Sequence, residues 1–376
     1  MSHHDPHAPY TLYKMDISYF SGKLEAYLRN KGIAYTTATG DAAALDMLYA
    51  RTGVKKVPAL HSADDLWLFD TTPTIRWLEQ RYPDNPATPP DPAQAFLATL
   101  IEDYADEWLW RPAMWWRWEP LASRRALGRR IADEVRPPGI PRPLMAWFFP
   151  HRQRRTWLWG DGMDQSNAAA VRDLYLQELD FLQAVLAERV YLLGDQPSLA
   201  DYGYFASMFR HFGNDPDPAE IMRRRAPAVY EWLARMWNAP RTQASTPRWL
   251  AADGPHWAAL WTRICGDYLP YLSQNAAAWA AGKKRFNTRG ASLSFNGTLT
   301  HHYRVWCLQV LRRAWRQLDA EARAQITAQL APYGGLAALD SGADVDAGLD
   351  ALYTLPKTPG QHKAGWRIAL LGQPRN

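Results

Sequence analysis

Over residues 10–82 the apolar positions fall in short blocks whose period switches between strand-like and helix-like. Residues 10–15 (YTLYKM) read as a strand. Residues 19–31 put Phe20, Leu24, Tyr27 and Leu28 at helical spacing, with Gly32 as the stop. Residues 33–37 predict a second strand, and the Ala/Leu-rich 42–51 a second helix. Residues 57–61 and 66–69 are two short strands around the turn 62–65, which together predict a hairpin. Residues 72–82 predict a third helix with Pro73 in its first turn, where proline is tolerated.

The order β-α-β-α-β-β-α is that of a thioredoxin-like α/β domain. Five prolines in residues 83–92 then mark a boundary. Beyond it the pattern is helical: 93–118 as one long helix, then 123–135, a proline break at 137–143, 167–189, 198–212 and 228–237. Ser198 and Asp201 form a variant capping box at the head of 198–212. Residues 241–376 are less regular. Residues 257–272 and 302–318 predict helices, whereas 287–297, rich in Gly, Ser, Thr and Asn, predicts a loop, and 336–348 a loose segment. The expected organisation is therefore 1–83, 93–240 and 241–376. The tail is expected to pack on the helical part, burying Trp257, Trp261 and Trp306, because its own core would be small.

Composition changes this picture little. The net charge of +5 is local, since residues 124–155 hold nine arginines against Asp133 and Glu134. No nucleic-acid motif accompanies them, so a solvated helix face is expected rather than a nucleic-acid site. The two cysteines, Cys265 and Cys307, form no CxxC pair. A disulfide framework or a zinc site is not expected, and a reducing compartment fits. No apolar run approaches the roughly 20 residues of a membrane helix, and no apolar signal core opens the chain.

Three stretches resemble the cytosolic glutathione S-transferase family. Ser18-Tyr19-Phe20-Ser21-Gly22-Lys23, closing with Asn30-Lys31-Gly32-Ile33, is similar to its serine-type start. Lys56-Val57-Pro58-Ala59-Leu60, followed by Phe69-Asp70-Thr71-Thr72-Pro73, resembles its Val-Pro-x-Leu strand, whose proline is cis, and the acid–hydroxyl pair that opens its third helix. Leu193-Gly194-Asp195-Gln196-Pro197-Ser198-Leu199-Ala200-Asp201 looks like the segment that opens a later helix of the family, and Pro227-Ala228-Val229-Tyr230-Glu231-Trp232 follows it. The resemblance covers residues 10–240. It implies the glutathione S-transferase fold, a thioredoxin-like N-terminal domain plus an all-α domain, here with a mostly helical C-terminal extension.

The resemblance also implies chemistry. Glutathione presents two carboxylates, an ammonium and a thiol, and the thiolate is the nucleophile. A hydroxyl donating to the sulfur, near the positive end of a helix, lowers the thiol pKa. Ser18 lies between strand and helix and is the first candidate, with Tyr19, Ser21, Tyr10 and Tyr13 as alternates. Capping of the helix is the competing role for Ser18. Val57, before Pro58, would pair with the cysteinyl backbone. Asp70 and Thr71 would take the γ-glutamyl end at a helix N-terminus, and Lys55 or Lys56 the glycyl carboxylate. The Trp-rich stretch 108–118 suits an apolar electrophile, with Asp103, Tyr104, Arg111 and Trp115 as candidates for that pocket. The expected activity is glutathione transfer to an apolar electrophile by a cytoplasmic homodimer, with glutathione as co-substrate, no metal, and neither nucleic acid nor membrane as partner. A non-catalytic interaction module of the same fold is the alternative.

Overall fold

Strand β1 (Tyr10–Lys14) leads into helix α1 (Tyr19–Lys31). The computed structural model describes residues 5, 7–136, 139–238, 247–334, 336–340 and 344–363. Ser18 caps α1 by accepting from the Ser21 amide, and Gly32, at φ 65°, ends it. The Ile33 amide then returns to the Leu28 carbonyl, so Ile33 serves the helix ending. Strand β2 (Tyr35–Thr39) consequently starts later than the pattern of 33–37 predicts. Helix α2 (Ala42–Thr52) is capped by Asp41 and stopped by Gly53. Strands β3 (Ala59–His61) and β4 (Trp67–Phe69) form the expected hairpin, and α3 (Thr71–Arg81) follows.

The sheet order is β2-β1-β3-β4, with β1 parallel to β2 and antiparallel to β3. Leu12, Leu60 and Leu68 lie opposite one another across three strands, and each is fully buried. They face the core that α1 and α3 cover with Leu24, Leu28, Ile75 and Leu78.

The helix expected over 93–118 is two helices, α4 (Pro92–Glu107) and α5 (Trp110–Trp118). Pro112 has no N–H to offer the Trp108 carbonyl, and its ring crowds that group. The chain therefore turns at residues 108–109. Helices α6 (Leu121–Val135), α7 (Arg142–Gln153), α8 (Ala168–Leu186), α9 (Leu199–Ser207), α10 (Pro216–Arg225) and α11 (Pro227–Asn238) complete this half. The capping box of Ser198 and Asp201 is present in both directions. Buried Lys23 of α1 reaches Glu102 and Asp106 of α4, at 2.7 and 2.5 Å, and ties the two halves together.

The tail adds α12 (Pro255–Arg263), α13 (Leu269–Ala280), strands β5 (Arg285–Thr288) and β6 (Phe295–Leu299), α14 (His302–Gln317), α15 (Ala320–Leu330) and the short α16 (Ala337–Asp340) and α17 (Asp350–Tyr353). The loop expected over 287–297 is thus a hairpin with its tip at 289–294. Asp267 accepts from the Ser292 and Leu293 amides and pins that tip, while Phe295 and Thr298 turn inward. Polar composition concealed the pairing. The segment expected to be loose, 336–348, contains α16, and residues 335 and 341–343 lie outside the described residues.

Trp257, Trp261 and Trp306 are buried. Trp257 meets Phe181 of α8 edge-on, and Trp315 of α14 packs against Phe96 of α4. Arg263 of α12 joins Tyr104 and Tyr204 on the buried Glu178 carboxylate, each bond 2.6 Å long. After α17 the chain crosses back to the first domain. Lys357 pairs with Trp67 at the open edge of β4, through two bonds of 2.8 Å, and His362 donates to the Ala50 carbonyl near the end of α2. An unpaired sheet edge is thereby covered.

Candidate functional site

The segment after α2, the head of α3, the end of α4 and the tail converge on one cavity of about 210 Å³. Its floor is Lys56, Val57, Pro58, Asp70 and Thr71. The Val57–Pro58 peptide is cis. Asp106, Glu107 and Trp110 form the wall toward the helical half, and His301, Tyr303, Arg304 and Tyr353 close it from the tail.

Backbone geometry at the floor is distinctive. Asp70 holds φ 65° and ψ 127°, an arrangement that a non-glycine residue adopts only where its surroundings impose it. Its carboxylate accepts from the Thr72 amide in the first turn of α3 and from the Tyr303 hydroxyl, and it lines the cavity. The α3 amides behind it supply positive potential. No hydrogen bond joins the Val57 amide or carbonyl to another described residue, so both are available to an extended ligand backbone.

Three carboxyls share this small space. Burial holds Asp70 above the usual carboxylate range, opposed by a hydrogen bond from Tyr303 and by Lys56 and Lys23. Burial also raises Asp106, with Lys23 opposing. Glu107 is raised by burial and by the Asp70 charge, against Arg304, whose Nε lies 3.3 Å from its Oε2. One Asp106 oxygen is buried and unpaired. The site suits a ligand carrying both cationic and anionic groups, since Asp70 and Lys56 stand together on its floor.

Two family models match the chain: residues 12–86 match "Glutathione S-transferase, N-terminal domain" and residues 143–240 match "Glutathione S-transferase, C-terminal domain". With the observed topology they decide the architecture. The fold is the glutathione S-transferase fold. Similar solved structures include a glutathione S-transferase from Rhodospirillum rubrum F11, at 17% identity over 67% of this chain and 99% of that one, with TM-score 0.41. The β-etherase LigF of Sphingobium sp. strain SYK-6 is 19% identical over 68% and 100%, with TM-score 0.43. A glutathione S-transferase of Methylobacterium radiotolerans, solved with glutathione sulfonate, is 20% identical over 64% and 98%, with TM-score 0.38.

Within this glutathione S-transferase fold, the predicted residues separate into two groups. Lys56, Val57, Pro58, Asp70 and Thr71 come together on the cavity floor. Ser18, Tyr19 and Ser21 do not border the cavity, although Phe20 does. Ser18 is half-buried and accepts from the Ser21 amide at 3.4 Å, which leaves its hydroxyl proton uncommitted. The Ile17 carbonyl before it is fixed by Arg117. Tyr19 is buried and donates to the Ala105 carbonyl at 2.6 Å, and Ser21 accepts from the Met15 amide. Tyr10 donates to Asp5, and Tyr13 stacks on Trp67. Lys55 pairs with Asp46.

The four residues proposed for an electrophile pocket also lie off the cavity. Asp103 accepts from Tyr268 at 2.5 Å, and Tyr104 belongs to the Glu178 cluster. Arg111 is buried among Trp110, Phe295 and Tyr271 and lies 3.9 Å from Asp161. Trp115 packs edge-on against Trp116. Helical spacing alone does not distinguish the cavity-facing Asp106, Glu107 and Trp110 from these core neighbours. The tail residues were also missed. Their signal was the polar run His301-His302-Tyr303-Arg304 ahead of the mostly apolar stretch 305–311 of the same helix. No cluster of three or more potential metal ligands occurs among the described residues.

Proposed function

We propose that the chain is a glutathione transferase whose glutathione site is roofed by its own C-terminal tail. The observation that carries this reading is the convergence of Val57, Pro58, Asp70 and Thr71 with Lys56 on one cavity floor. The Val57 backbone would pair with the cysteinyl residue, Asp70 would take the ammonium, and the α3 amides with Thr71 the adjacent carboxylate. Lys56 would meet the glycyl carboxylate. Ser18 lies outside the cavity lining, so its hydroxyl, with its proton unspent, would donate to the thiolate only once the site opens toward the head of α1. Trp110 and Trp157 give the cavity an apolar side for the electrophile.

At about 210 Å³ the cavity is smaller than the roughly 300 Å³ at the low end of small-molecule sites. Glutathione and an electrophile together would extend beyond its partly open rim or displace Tyr303 and Tyr353. A homodimer in the cytoplasm belongs to the same proposal. The dimer would use a surface other than the α4 face, which α14 and α15 occupy.

The test is conjugation of a chlorodinitrobenzene by the full chain, with the bound thiolate titrated by its ultraviolet absorbance. Ser18→Ala should raise the thiol pKa and slow conjugation about ten- to a hundredfold, the effect of losing a hydrogen bond to a charged group. An unchanged titration removes Ser18 from the role. The small volume of the cavity also favours a second reading, a non-catalytic module that binds glutathione. Binding without turnover toward any electrophile would select it.

A further inference from the structure

Helix α7 is amphipathic in the inverted sense. Its outer face carries Leu144, Trp147 and Phe148 at helical spacing, exposed by 51%, 61% and 48%. Leu121 at the start of α6 and Ile140 before α7 are exposed as well. A folded domain normally keeps such a stripe inside, and an exposed one marks a contact surface. The helix is fixed in place by its other face: α6 and α7 pack closely, with the Gly128 backbone against Ala146 and Pro150.

Charge accompanies the stripe. An open groove of about 440 Å³ between α6 and α7 is lined by Arg124, Arg125 and Arg129 on one side and Trp147 and His151 on the other. Arg142 is engaged with Asp133, Arg130 with Glu134, and Arg154 with Glu119. Arg124, Arg125 and Arg129 have no carboxylate partner among the described residues.

We propose that this α6–α7 face docks on an anionic lipid bilayer, with Leu144, Trp147 and Phe148 entering the headgroup boundary and the three groove arginines meeting lipid phosphates. Aromatic and aliphatic side chains beside arginines are the composition of an interfacial helix, and tryptophan favours the bilayer boundary. Two other occupants fit less well. A second copy meeting the same face across a two-fold axis would bring two arginine clusters together. A nucleic acid would satisfy the arginines but give Leu121, Ile140 and Leu144 nothing apolar to bury against. Among the described residues no helix is long and apolar enough to cross a membrane, so the attachment is to the surface. This contrasts with the sequence-based expectation of no membrane partner, which considered spanning segments and a solvated arginine face. Trp157, one of the cavity's lining residues, follows α7 directly in the chain. The inference does not rest on the glutathione reading.

The test is co-sedimentation of the full chain with vesicles of phosphatidylcholine alone and of phosphatidylcholine with phosphatidylglycerol, at low and high salt. Binding is expected to be at least about tenfold tighter to the phosphatidylglycerol vesicles and to weaken with salt. The double variants Trp147→Ala/Phe148→Ala and Arg125→Glu/Arg129→Glu should each lose about tenfold or more. Arg323→Glu, an exposed arginine on α15, should bind as wild type. All substituted side chains are exposed, and circular dichroism checks that the variants fold. Equal binding to both vesicle types, or an unchanged Trp147/Phe148 variant, overturns the proposal. So does tight binding to duplex DNA that needs Arg125 and Arg129 but not Trp147. A dimer that dissociates in the Trp147/Phe148 variant, with no vesicle binding in either protein, also overturns it and assigns the face to a second copy.

Discussion

Lys23→Met should be among the most damaging single changes in this chain. Lys23 is wholly buried in α1, and its ammonium lies 2.7 Å from Glu102 and 2.5 Å from Asp106 on α4. Both carboxylates are themselves buried. Methionine keeps the bulk but strands two carboxyls without a cation. Removing one partner of a buried ion pair costs about 3–5 kcal/mol. At about 2.1 cal/mol/K of unfolding entropy per residue, a chain of 376 residues has roughly 0.8 kcal/mol/K. The melting temperature should therefore fall by about 4–6 °C if the molecule melts as one unit. The loss should shrink at acidic pH, where Asp106, already raised by burial, takes up a proton. Lys23→Met/Glu102→Leu/Asp106→Leu should recover most of the loss, because an apolar replacement of a whole buried cluster is commonly neutral or better. Calorimetry at neutral and acidic pH reads all three results. A melting temperature within about 1 °C of wild type, or a triple variant no better than the single one, would refute the argument that this cluster joins the two halves.

Asp103 offers a pH test. Burial pushes its carboxyl up to about 7, against the Tyr268 hydrogen bond. The folded protein thus keeps a proton that the unfolded chain releases near 3.8, so stability falls as pH rises between those values. Asp103→Asn should remove up to about 2–4 kcal/mol of that fall, and unfolding curves of equal pH slope in both proteins would contradict it. Tyr303→Phe should free Asp70 from its roof partner and tighten glutathione binding about tenfold; weaker binding would instead make Tyr303 a direct ligand contact. Sedimentation velocity should show a dimer, and a 42.9 kDa species alone would remove it, leaving α14 and α15 as the permanent cover of α4.

The N-terminal domain was legible because its signals are local. Gly32, Gly53, Asp41 and Ser18 mark helix ends wherever they occur, and the Val57-Pro58 and Asp70-Thr71 pairs fall on the cavity floor with no long-range information needed. The split at Trp108 was also written in the sequence, in Pro112, but the apolar run on either side concealed it. Helices α7, α10 and α15 were not assigned. The apolar stripe of α7 points outward, and α10 and α15 carry so many charged or small residues that their periodicity is weak. The cavity wall was illegible for a different reason. Glu107 and Arg304 are far apart in sequence and meet only because α14 folds back over α4, and Asp103 and Asp106 look equally suitable until the rotation of α4 is known.

The central claim is that Asp70, Thr71, Val57 and Lys56 form a glutathione site under the tail. Calorimetric titration of glutathione into the full chain and into Asp70→Asn tests it most directly. The account predicts saturable binding at millimolar glutathione or below, weakened by about tenfold or more in Asp70→Asn, as expected when a charge-assisted bond to the ammonium is lost. No heat at millimolar glutathione in the wild-type chain, or equal affinity in the two proteins, would contradict it.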